Sequence, residues 1–70
     1  MEDFYFAYGY DPKQNTAHRL YRFINGNFER YDPIGGIWNP DPEQSRIFIG
    51  EDWDYEEITE EKVSSLQIIF

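Results

Sequence analysis

Seventy residues with no cysteine and a single histidine leave little room for chemistry: disulfides, thiolate zinc centres, cysteine nucleophiles and multi-histidine metal sites are all excluded. Fourteen acids against six bases give a formal charge of −8, which opposes direct contact with nucleic acid or an anionic membrane. No apolar run reaches the roughly 20 residues that a bilayer-spanning helix needs.

The length predicts one small domain over residues 1–70. A chain this short has a marginal core, and Phe, Tyr and Trp, 20% of the residues, are what can compensate. Each ring buries about 150–250 Å². The charge is uneven. Residues 1–50 hold seven acids and five bases, whereas residues 51–70 hold seven acids and Lys62 alone. The start, "MEDFYFAYGY", has no basic region leading into an apolar stretch, so it does not read as a signal peptide, and a cytoplasmic location is expected.

In chain order, "FYFAYGY" (4–10) predicts a strand with Phe4, Phe6, Tyr8 and Tyr10 on one face and Tyr5, Ala7 and Gly9 on the other. "DPKQNT" (11–16) predicts a loop opened by Asp-Pro. "AHRLYRFINGNFERYD" (17–32) predicts a hairpin about Asn25-Gly26, because both central residues of a type I′ turn need positive φ. The register follows: Phe23 faces Phe28, Arg22 faces Glu29, Tyr21 faces Arg30 and Leu20 faces Tyr31.

"DPIGGIWNPDPEQS" (32–45) carries three X-Pro bonds and a glycine pair, so no single regular element fits it. Asp41-Pro42 predicts one helical turn. Trp38 is expected on irregular backbone, plugging one end of the core, with an exposed partner anchor as the alternative. "RIFIG" (46–50) predicts a short strand. "ITEEKVSSLQIIF" (58–70) predicts a C-terminal helix capped by Thr59, with Glu60 and Glu61 in its first turn and an apolar stripe of Val63, Leu66, Ile69 and Phe70. "LQIIF" could instead end as a strand. The expected class is α+β: a three- to four-stranded antiparallel sheet with the Asn25-Gly26 hairpin, plus one C-terminal helix.

"EDWDYEEITEE" (51–61) holds half of all the acids. If 51–57 is extended, Asp52, Asp54 and Glu56 point one way, while Trp53 and Tyr55 point the other and can pack inward. The plain reading is a solvated edge strand whose charges block unwanted pairing. The functional reading is a row of carboxylates about 6.6 Å apart, twice the strand rise, facing a basic protein. That repeat is close to the phosphate spacing of a nucleic-acid strand, so an acidic DNA-mimic inhibitor is one form of this reading. A calcium loop is disfavoured. Asp52-x-Asp54-x-Glu56 opens like one, but Glu57 and Val63 stand where the loop needs Gly and Glu.

Nothing in the pattern points to catalysis. His18 sits in a predicted strand with no nucleophile at a suggestive spacing, and Gly35-Gly36 is not a phosphate loop. The tail "GEDWDYEEITEEKV" is similar in tone to the ends of small bacterial and phage proteins, a likeness that implies no activity.

The expected function is therefore a non-enzymatic interaction module without cofactor or metal. It would bind a basic protein partner through Asp52, Asp54, Glu56, Trp38, Trp53 and Tyr55. The structural alternative is a homodimer formed through aromatic faces. Direct nucleic-acid binding and membrane association are not expected.

Overall fold

The computed structural model describes residues 3–50 and 54–69, with side chains throughout except at Arg46, Phe48 and Ile49. Five strands form one antiparallel sheet: β1 (Phe4–Tyr8), β3 (Arg19–Ile24), β4 (Asn27–Asp32), β5 (Ile37–Pro40) and β6 (Tyr55–Ile58), in the order β5-β4-β3-β1-β6. A second, two-stranded ladder joins β2 (Thr16–Ala17) in parallel to β7 (Gln67–Ile68). A 3₁₀ helix, η1 (Pro42–Ile49), and a short α-helix, α1 (Glu60–Ser65), complete the described elements. The class is α+β, with one strand more in the main sheet than the upper end of the expected range.

The β3–β4 hairpin forms in the anticipated register, with Phe23 opposite Phe28, Arg22 opposite Glu29 and Tyr21 opposite Arg30. Asn25 (φ 51) and Gly26 (φ 79) both take the left-handed conformation that a type I′ turn demands.

Alternation along the strands builds two cores. Phe6, Tyr8, Tyr21, Phe23 and Phe28 fill the first face, with Phe4 and Tyr55 packed beside them and Ile47 of η1 above. Phe6 stacks on Tyr21 at 5.3 Å between centroids and meets Tyr55 edge-on at 5.5 Å. Ala7, Leu20 and Ile58 fill the second face under Val63, Leu66, Ala17 and Ile68. Burial of each large side chain stabilises the fold by about 1.5–3 kcal/mol, so two thin cores replace one thick one.

β1 stops at Tyr8, two residues short of the expected end. Gly9 (φ +65) turns the chain, and Tyr10 packs on the second cluster instead of continuing the aromatic face. His18 lies in a bend outside the strands, exposed, rather than within the predicted strand. Its backbone N–H donates to the Tyr8 carbonyl although Tyr8 pairs with Arg19, so two residues oppose one, as in a β-bulge.

Two Asp-Pro turns use the same local chemistry. Asp11 Oδ1 accepts the N–H groups of Lys13 and Gln14, and Asp32 Oδ1 accepts those of Ile34 and Gly35. The second turn leads into β5, the strand not anticipated. Trp38 therefore lies on regular backbone, opposite Tyr31, and not in an irregular plug. The Asp41 N–H donates to the Phe28 carbonyl, so by ladder alternation Trp38 and Pro40 direct their backbone groups outward. Pro40 has no N–H to offer there, which suits it to an edge strand.

The predicted strand at 46–50 is not formed. The helical turn expected at Pro42 extends as 3₁₀ through Ile49, placing Ile47 on the first core. Core burial overrides the β propensity of "RIFI".

The C-terminal helix is shorter than predicted. Thr59 (φ −80, ψ 157) caps it, its hydroxyl accepting from the Lys62 N–H at 3.2 Å. Leu66 (φ −67, ψ 136) leaves the helix, and the chain becomes β7. The Gln67 and Ile69 N–H groups donate to the Asn15 and Ala17 carbonyls, so Ile69 is not on a helical apolar stripe and is 42% exposed. Phe70 lies outside the described residues.

Candidate acidic and aromatic interaction surface

β6 is an edge strand, paired with β1 on one side. Along it and into α1, the carboxylates of Asp54, Glu56, Glu57, Glu60 and Glu61 are exposed. The Thr59 cap and the acids of the first turn favour one another, because anions stabilise a helix start. The same residues thus start the helix and charge the edge.

The structure divides the expected site residues. Glu56 and Asp54 are exposed, Glu56 on β6 and Asp54 just before it. Asp52 and Trp53 lie outside the described residues, so the alternating row is seen only at Asp54 and Glu56. Tyr55 is half-buried, its ring 5.5 Å from Phe6 and 6.4 Å from Tyr8, which commits much of its surface to the first core.

Trp38 is half-buried at the opposite edge. Its ring lies 5.2 Å from Tyr31 and 6.1 Å from Tyr5. The Arg22 guanidinium sits 4.3 Å from the Trp38 centroid and 2.6 Å from Glu29 Oε1. The carboxylate fixes the guanidinium, and the guanidinium covers the indole. Nearby, Ile34 is 87% and Ile37 54% exposed.

Sequence reasoning missed a groove at the end of the sheet where β1 begins and β3 and β6 finish. It encloses about 730 Å³ and is lined by Phe4, Tyr5, Ile24 and Ile58 together with Asp3, Glu57 and Glu60. Three segments distant in sequence form it, so no local pattern could have revealed it.

Among the described residues, no cluster of His, Cys, Asp or Glu is arranged to hold a metal ion, and no helix is long and apolar enough to cross a membrane. No protein-family model, curated protein or solved structure significantly matches the chain.

Proposed function

We propose that this protein is a small, non-enzymatic interaction module that binds a basic protein partner through its acidic edge and neighbouring rings. The carrying observation is charge segregation. Asp54, Glu56, Glu57, Glu60 and Glu61 are exposed within one edge strand and the helix turn that follows it. Exposed charges concentrated this way accelerate encounter with an oppositely charged surface more than they add to final affinity. Half-exposed rings supply buried contact, Tyr55 on the acidic edge strand itself and Trp38 at the opposite edge of the sheet, since Trp and Tyr dominate interface hot spots.

The test is capture of partners by the wild-type protein and by an Asp52→Lys, Asp54→Lys, Glu56→Lys variant, followed by binding kinetics of the captured protein. The reading expects a basic partner whose on-rate falls with salt and falls again in the variant. Equal capture and equal on-rates for both proteins would refute it.

The exposed Ile37 of β5, with the exposed Ile34 of the turn before it, favours a second reading, a homodimer formed through the β5 side of the sheet. Sedimentation equilibrium at low and high salt separates the two. A dimer held by apolar burial survives high salt, whereas a monomer at both salts removes the homodimer.

A further inference from the structure

The groove at the end of the sheet combines two surfaces that suit one kind of ligand. Apart from Arg22, its buried and half-buried lining is apolar: Phe4, Tyr5, Phe23, Ile24 and Ile58. Its exposed lining carries three carboxylates, on Asp3, Glu57 and Glu60. The one basic residue in the lining is Arg22, whose charge is already met by Glu29 at 2.6 Å and whose guanidinium is held over Trp38. The groove therefore presents net negative charge around an apolar floor.

We infer that this groove receives a lysine or arginine side chain from a basic segment of a partner protein. This rests on the proposed interaction with a basic partner and adds where the basic residue goes. The aliphatic stem of such a side chain covers apolar surface while its charged head stays near water and carboxylates. A plain inorganic cation would use the carboxylates and leave the apolar floor wet. A neutral apolar ligand would use the floor and gain nothing from the carboxylates. Charge complementarity selects the occupant that uses both.

The experiment uses the full chain and an octalysine peptide as probe, followed by ¹⁵N–¹H NMR and calorimetry at low salt. Glu57→Gln/Glu60→Gln removes two groove carboxylates. Glu56→Gln/Glu61→Gln removes two acids that do not line the groove and leaves the same net charge. Thermal melts of both variants establish that each is folded. The expected result is shifts at Tyr5, Ile24 and Ile58, with affinity reduced about fivefold in the groove variant, the size of two lost exposed ion pairs, and about twofold in the control, which loses only the longer-range attraction of the edge. Equal weakening of both variants, or shifts spread evenly over the acidic edge, would overturn the groove while leaving the basic-partner reading intact. Absence of any octalysine binding at low salt would overturn both.

Discussion

Replacing Asn15 with alanine should detach the C-terminal ladder. Asn15 has φ 53, a conformation Asn tolerates and Ala does not, so the backbone alone costs about 1 kcal/mol. Its side chain also makes three hydrogen bonds. Nδ2 donates to the Lys62 carbonyl at 3.0 Å and to Ser65 Oγ at 2.9 Å, and Oδ1 accepts the Tyr10 hydroxyl at 2.9 Å. Each is worth about 0.5 kcal/mol net at so wet a site, the low end for such bonds. The expected loss is about 2–3 kcal/mol, against about 3.5–10 kcal/mol for a domain of this length. Urea denaturation measures the loss, and hydrogen exchange at the Gln67 and Ile69 amides, which bond to Asn15 and Ala17, reports whether the ladder opens first. Asn15→Gly separates the terms, because glycine accepts the positive φ but makes no side-chain bond; it should lose about 1.5 kcal/mol. A glycine variant as stable as the wild type would refute the claim that these bonds anchor the C-terminus.

Other perturbations test other contacts. A Cβ on Gly9 would lie 2.0 Å from His18 Cδ2, and Gly9 has positive φ, so Gly9→Ala should destabilise the protein by about 2 kcal/mol or more. The Gly9→Ala/His18→Ala double variant should recover the steric part in a urea-denaturation cycle; strict additivity would show that the ring is not the obstacle. Gln44 is 1% exposed and donates to the Tyr8 hydroxyl, so Gln44→Ala should cost about 2–3 kcal/mol by denaturation, and a loss below about 0.5 kcal/mol would contradict its buried role. Trp38→Ala removes ring contacts with Tyr31 and Tyr5 and uncovers Arg22, which should cost about 2 kcal/mol, with amide shifts at Arg22 and Tyr31 in NMR spectra. Unchanged Arg22 and Tyr31 shifts would show that the ring does not sit there in solution.

The hairpin was legible because its determinants are local. Asn25-Gly26 selects the turn, and alternation then dictates which residues face one another. The same holds for the aromatic face of β1 and for the Thr59 cap, each set by neighbours within a few positions. β5 was hidden because glycines and prolines on both sides of "IWNP" read as breakers; a strand forms there because β4 supplies its hydrogen bonds and Pro40 stands on the open edge. "RIFIG" has strand propensity but lies over the first core, where a 3₁₀ turn can bury Ile47.

The acidic edge was legible as composition, since exposed carboxylates need no tertiary partner to stay in water. The groove was not, because Asp3, Ile24 and Glu60 meet only after the sheet has formed. Sequence alone determined the hairpin, the aromatic alternation, the helix start and the charge of the edge, all of which depend on neighbouring residues or solvation. Tertiary structure alone decided that Gln67–Ile68 becomes a parallel partner for Thr16–Ala17, that Asn15 ties the two together and that a groove opens beside Glu57 and Glu60. Each of these depends on contacts between residues far apart in the chain, whose closure is entropically costly and is offset only by the packed sheet.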